Sequence, residues 1–333
     1  MEGKRVRFLA VVLVLFIFLS GCSAVDYFTQ SDDELQPDEL TENGQPGEEN
    51  LRETVFYYVF ESDYLIPVLM NIPWTEGIAR AAINRIIKSP EVDSFTETIG
   101  LQAPLPQGTE ILGLNIRDGL ARIDLSEELL NVQEGKERIA IDSVAYTLME
   151  FSTVDEVEIL VEGKLLEEFP KGVSLEQPLN RSRGINLEVS EGVQDMSSTS
   201  KVQVYFCGRG EEVINYFVPV TRVIPRTADL MEAALNELIK GPKPGTSLFS
   251  EINSEVTINS FSVKDGLAAV DFSKEFASYH GGVTSEENIL KQVTLTLTQF
   301  PEVSEVLILV DGQQPELTWE QPLKAPEKIN IIF

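Results

Sequence analysis

The chain has 333 residues, a length that is typical of about two domains. It carries 54 Asp and Glu against 26 Lys and Arg, which gives a formal net charge of −28. This balance argues against nucleic-acid binding, which needs cations clustered against the phosphates, and against adsorption to anionic lipid.

Residues 1–21 have the three parts of an export signal. Three cations among the first seven residues precede an apolar run at 8–19, and Leu19-Ser20-Gly21-Cys22 closes the segment. The run is too short to span a bilayer comfortably. The closing tetrapeptide resembles the bacterial lipobox, which implies cleavage before Cys22, a lipid on its thiol, and a protein anchored to the membrane outside the cytoplasm. The alternative is an uncleaved short anchor with an incidental cysteine.

Residues 22–51 are predicted to be a lipidated Cys22 followed by a disordered tether. Positions 23–51 hold nine acidic residues and no basic one, a composition that cannot bury a core. As a random coil it would hold the first domain on the order of 30 Å from the membrane. Cys207 is then the only thiol of the mature fold, so no intrachain disulfide is expected. Matched to Phe60 in the repeat described next, it is predicted to be buried and inert.

The rest of the chain contains one unit twice, most visibly where residues 116–126 recur as 263–273 around Asp118-Gly119 and Asp265-Gly266. Asp-Gly favours a two-residue hairpin turn. The predicted elements of the first unit are, in order, strands at 54–60 and 64–68 with Pro67 at a sheet edge, a helix at 75–88 capped by Thr75 and stopped by Ser89-Pro90, a loop, the hairpin, a helix at 136–151, and a strand at 157–161.

These elements predict an α+β fold with two tandem, similar domains, each a small mixed sheet with two helices packed on one face. The predicted boundaries are 52–180 for the first domain, 181–200 for a linker that need not be rigid, and 201–333 for the second domain. Each domain is expected to bury its own core and to unfold on its own.

The repeated motifs are a helix ending near Lys-x-Pro, a hairpin reading Val/Ile-x-Asp-Gly-x-Ala-x-Val/Ile-Asp-Phe/Leu-Ser, and a strand reading Val-x-Ile-Leu-Val-x-Gly. Together with the lipobox, they resemble the paired GerMN domains of the GerM sporulation and germination lipoproteins of endospore-forming bacteria. The resemblance covers about residues 52–333. It implies a fold similar to the ring-building motif, envelope-protein partners in the space between mother cell and forespore, and assembly that could extend to a homo- or hetero-oligomeric ring.

Two repeated polar pairs are the candidate site residues. Asp124 with Ser126, and Asp271 with Ser273, could ligate Ca²⁺, which takes six to eight oxygens. The interpretation we favour is that they accept backbone N–H bonds at a turn or helix start. His280 is the only histidine and has no counterpart in the first unit, so it is predicted to be a loop residue rather than a zinc ligand or triad member.

The sequence therefore predicts a non-enzymatic, lipid-anchored protein without metal or cofactor, which binds other envelope proteins through sheet edges and helix faces. The alternative is an exported protein that binds or hydrolyses cell-wall glycan, since paired carboxylates could arise among so many acidic residues. A cleft between the units with convergent polar groups would favour that alternative.

Overall fold

The computed structural model describes residues 50–61, 63–210, 215–278 and 281–332. The predicted signal peptide, Cys22, most of the tether, and His280 lie outside the described residues. The elements of the first repeat are, in chain order, β1 (Leu51–Phe60), β2 (Tyr64–Pro73), α1 (Ile78–Asn84), α2 (Pro90–Thr98), β3 (Ile111–Arg117), β4 (Gly119–Leu125), α3 (Glu137–Met149), β5 (Val154–Val161), β6 (Lys164–Leu165) and β7 (Leu179–Asn180).

The first repeat is built from two sheets with a helix between them. β1 and β2 form an antiparallel two-stranded sheet. The second sheet is mixed, because β4 pairs antiparallel with β3 and parallel with β5, whose far side takes β6 and β7. Helix α3 contacts both β1 and β5 and is buried along most of its length. The predicted α+β class with small mixed sheets is confirmed, and the separate β1–β2 sheet is an added detail.

The hairpin turns have the predicted geometry. Asp118 and Gly119 have φ angles of 52° and 82°, and Asp265 and Gly266 have 51° and 84°. Positive φ angles at both central residues define the turn type whose twist matches that of the flanking strands. The Asp-Gly dipeptides therefore fix the register of both hairpins.

The helical region at 75–98 differs from the prediction. Helix α1 is shorter than 75–88, and its N-cap is Gly77 rather than Thr75, whose hydroxyl instead donates to Glu76 O. Ser89 accepts a hydrogen bond from Val92 N and so caps a second helix, α2, that the sequence analysis missed. Serine followed by proline was interpreted as a helix stop, although proline is also favoured in the first turn of a helix.

The second repeat follows the same order. Its elements, after a short strand β8 (Glu188–Val189), are β9 (Thr199–Arg209), β10 (Asn215–Pro225), α4 (Leu230–Ile239), β11 (Leu248–Phe249), β12 (Ile258–Lys264), β13 (Leu267–Phe272), α5 (Gly282–Thr298), β14 (Glu305–Val310) and β15 (Leu323–Lys324). No helix among the described residues is both long and apolar enough to cross a bilayer.

The register of the strands corrects the match of Cys207 to Phe60. Tyr57 and Tyr205 each donate a backbone N–H to a threonine hydroxyl of α3 or α5, and each faces a proline on the neighbouring strand. Tyr57 therefore corresponds to Tyr205, which places Cys207 opposite Val59 in the alignment and Gly208 opposite Phe60. Cys207 is buried, and burial raises the pKa of its thiol to about 12. Its predicted burial is confirmed.

Two segments cross from one repeat to the other, and we call them the first crossing segment (184–190) and the second crossing segment (329–332). In the first, β8 pairs in parallel with β10 of the second repeat. In the second, Ile331 pairs in parallel with Leu69 of β2. Part of the predicted linker is thus a strand of the second repeat, and each repeat completes the sheet of the other.

Candidate functional site

Both repeated aspartates bind the backbone of a turn. Asp124 Oδ1 accepts a hydrogen bond from Gly163 N at 2.9 Å, and Asp271 Oδ1 accepts one from Gly312 N at 2.8 Å. Each of these glycines lies in the turn that follows the parallel strand next to the aspartate. Each carboxylate therefore joins its strand to the neighbouring turn, with one oxygen committed to a backbone donor.

Both repeated serines bind the residue immediately before the first strand of the hairpin. Ser126 Oγ accepts from Glu110 N at 2.9 Å, and Ser273 Oγ accepts from Thr257 N at 3.1 Å. Neither hydroxyl caps the 3₁₀ turn that begins one residue later, although Ser126 also lowers the pKa of Glu128 through a hydrogen bond. The predicted backbone N–H bonds to these side chains are present, but the helix-capping target for the serines was wrong.

Asp124 and Ser126 bind groups of the first repeat, and Asp271 and Ser273 bind groups of the second. No group of three or more His, Cys, Asp or Glu side chains that could hold a metal ion occurs within the described ranges. A groove of about 440 Å³ lies inside the first repeat, and its lining residues are Tyr58, Ala81, Asn84, Arg85, Ser89, Glu91, Val92 and Phe95. Glu91 is the one carboxylate in this lining, whereas glycoside hydrolysis by the usual mechanism needs two.

The outer edges of β2 and β10 face each other, and an asparagine from the first crossing segment lies between them. Asn186 Oδ1 accepts from Leu65 N at 2.8 Å, and its Nδ2 donates to Leu65 O at 2.8 Å and to Pro219 O at 2.7 Å. Leu65 belongs to the first repeat and Pro219 to the second. One side chain therefore satisfies three edge groups and joins the two repeats.

The second crossing segment repeats this arrangement with the roles exchanged. Asn330 Oδ1 accepts from Phe217 N at 2.8 Å, and its Nδ2 donates to Phe217 O at 2.9 Å and to Pro67 O at 2.8 Å. Phe217 corresponds to Leu65 and Pro219 to Pro67, so the two asparagines are related by an approximate two-fold axis. The predicted edge position of Pro67 is confirmed, and a residue without an N–H leaves no donor unsatisfied there.

A buried ionic cluster lies where the first crossing segment meets the second repeat. Arg222 Nε is 2.8 Å from Glu188 Oε2, and its Nη1 is 3.3 Å from Glu237 Oε2. All three side chains are at most 8% exposed. Tyr64 of the first repeat donates to Glu188 Oε1 at 2.8 Å, and Arg222 Nη2 donates to the backbone at 3.0 Å. Charges this deeply buried are tolerated only when paired.

We call the surface formed by the β2 and β10 edges, the two asparagines and this cluster the junction. The sequence analysis did not find it. A detectable sign is the recurrence of Ile185-Asn186 as Ile329-Asn330 after the repeated Glu-Gln-Pro-Leu. The first copy was assigned to the linker, where a repeated residue carries no obvious role.

Comparison with known proteins agrees with this architecture. A family model described as Germane, sporulation and spore germination, matches residues 54–167 and 203–316. The spore germination protein GerM of Bacillus subtilis (strain 168) is 30% identical over 285 residues, which is 82% of this chain and 77% of that protein. The solved tandem GerMN domains of B. subtilis GerM superpose with a TM-score of 0.73 at 29% identity, covering 84% of this chain and 99% of the other. The chain therefore belongs to the Germane family of sporulation and spore-germination proteins.

Proposed function

We propose that this protein is a lipid-anchored, non-enzymatic component of the envelope of sporulating cells, which acts by binding other envelope proteins. The observation that carries the proposal is the use of the repeated polar side chains. Asp124, Asp271, Asn186 and Asn330 all bind backbone groups of the fold itself. The equivalent polar side chains of the two repeats therefore stabilise the fold, which suits a binding module.

The free edges of the two mixed sheets are the surfaces we propose for partner binding. In the described part of the chain, β3 and β12 each pair on one side only, which leaves a row of backbone donors and acceptors for a protein partner. Leu112 on β3 is 46% exposed beside this edge. An envelope protein that adds a strand or packs an apolar side chain here would satisfy both features.

The anchor is tested by replacing each cysteine in turn. Cys22→Ala should abolish labelling by a fatty-acid probe and release the protein from the membrane fraction, because no lipid can then be attached. Cys207→Ala is the matched control and should remain labelled and membrane-bound. Continued labelling of the Cys22 variant would show that the lipid is attached to another residue and would contradict the proposed anchor.

The binding surface is tested by placing a charge beside the β3 edge. Leu112→Lys should reduce the envelope proteins cross-linked to the full-length protein in sporulating cells about tenfold, because a desolvated lysine in an interface is costly. Leu165→Lys is the control, since Leu165 is 43% exposed on β6, away from β3. Equal cross-linking yields in the two variants, quantified by mass spectrometry, would rule out the β3 edge.

A further inference from the structure

The junction is nearly symmetric in its hydrogen bonds, but it is asymmetric in side-chain size. Phe60 pairs with Tyr64 in the first repeat, and Gly208 pairs with Tyr216 at the corresponding place in the second. The two-fold relation between the asparagines brings these equivalent positions together. A Cβ added to Gly208 would lie 2.8 Å from Phe60 Cε1 and 3.1 Å from Cζ. The phenyl ring of one repeat therefore occupies the space that the missing side chain of the other leaves open.

The backbone conformation does not require a glycine at position 208. Gly208 is not among the glycines with positive φ, so any residue could adopt its conformation. Phe60 is 1% exposed, and its ring lies 6.3 Å from that of Tyr216, which also belongs to the second repeat. Tyr216 in turn donates to Ile99 O of the first repeat at 2.7 Å. The tightest contacts that a side chain at position 208 would make are thus with the ring across the junction, followed by Val218 Cγ2 of its own repeat at 3.3 Å.

The crossing segments are asymmetric in charge at equivalent positions. In the first crossing segment, Glu188 lies beside Arg222 of β10. The register in which Ile331 pairs with Leu69 places Ile332 beside Met70, the positions that correspond to Glu188 and Arg222. The first crossing segment therefore has a buried ion pair at this position, and the second crossing segment has two apolar side chains.

We infer that the junction is a pairing interface specific for one first repeat and one second repeat, and that it rejects two repeats of the same kind. Two first repeats would place Phe60 against Phe60 and Glu188 against Met70. Two second repeats would leave a void where the ring lies and would bury Arg222 without Glu188. The partner that fits either surface, within one chain or in a second copy, is the repeat of the opposite kind.

The full-length protein carrying Gly208→Phe tests this inference. We expect hydrogen exchange at the amides of Leu65 and Phe217, which report directly on the junction, to accelerate about tenfold relative to amides of β4 and β13. The reciprocal variant Phe60→Gly/Gly208→Phe moves the ring to the other repeat, and it should return both amides to within about threefold of the native rate. Gly208→Ala, which adds only the Cβ, should give a smaller acceleration at the same two amides.

The control is Gly113→Ala in β3, where an added Cβ would meet its nearest neighbour at an ordinary 3.8 Å. It should leave the Leu65 and Phe217 amides unchanged. If Gly208→Phe does not fold, Gly208→Ala and the reciprocal variant still decide the matter. The inference is overturned if the two junction amides do not respond to Gly208→Ala, or if the reciprocal variant exchanges as fast as Gly208→Phe.

Discussion

Arg222→Met should lower the free energy of unfolding by about 3 to 5 kcal/mol, because Glu188 loses its counter-charge and Glu237 keeps only the exposed Lys240 as an ionic partner. Glu188 and Glu237 both face Arg222 and are at most 8% exposed. The Nε to Glu188 contact is an ion pair rather than an aligned hydrogen bond, so most of the expected loss is the cost of the unpaired charges. Urea unfolding at neutral pH measures the change.

An exposed ion pair provides the comparison for Arg222. Arg122 lies 2.6 Å from Glu158, but the arginine side chain is 61% exposed. Arg122→Met should therefore cost less than about 1 kcal/mol, since water replaces the lost partner. Combining Arg222→Met with Glu188→Ile and Glu237→Leu should recover part of the stability, because no buried charge is then left unpaired, although Tyr64 and Ser190 lose a hydrogen-bond partner. A single Arg222 variant as stable as the Arg122 variant would contradict the buried-charge argument.

Asn330→Gly should lower the free energy of unfolding by about 2 to 3 kcal/mol, since it removes three hydrogen bonds from a partly buried sheet edge. Glycine is chosen because Asn330 has a φ of 52°, which glycine adopts without strain. Phe217 and Pro67 would lose their hydrogen-bond partner. Calorimetry should show the loss of stability, and faster hydrogen exchange at the Phe217 amide should show where it occurs. Asn186→Gly should behave alike at Leu65.

Asp118→Gly is the control for the effect of glycine on the backbone at Asn330. Asp118 has the same φ of 52° but lies in an exposed hairpin turn. The change there should stay within about 0.5 kcal/mol, as is usual for surface sites. Should Asn330→Gly be equally mild, the three hydrogen bonds would contribute nothing net, and the junction would be held by its apolar contacts alone.

The parts of the fold that the sequence predicted are those specified by neighbouring residues. The Asp-Gly turns, α3 and β5 depend on a dipeptide preference, a helical stripe and an apolar strand. Because each pattern occurs twice in the chain, each element was supported by two stretches of sequence. Helix α2 was missed although its Ser89-Pro90 start is local, because the same dipeptide also suits a helix end.

The junction could not be predicted in the same way, because its contacts join residues that are far apart in sequence. Asn186 has no apolar periodicity around it, and its role depends on the edges of β2 and β10 being brought face to face. Gly208 likewise has the sequence context of an ordinary strand glycine, and its role depends on the ring of Phe60 beside it. The backbone roles of Asp124 and Ser126 were predicted in kind, whereas their partners depended on the tertiary fold.

The crossing segments make the two repeats complete their sheets at different times during synthesis of the chain. The partner strand of the second repeat, β8, precedes it in the chain and is available as soon as β10 emerges. The first repeat instead waits for Asn330, which lies 263 positions after the carbonyl of Pro67 that it binds. Until then the β2 edge is open to any strand nearby, a state that invites misassembly. The repeat that is synthesised first is thus the last to complete its sheet, and truncating residues 329–332 should destabilise it more than the second repeat.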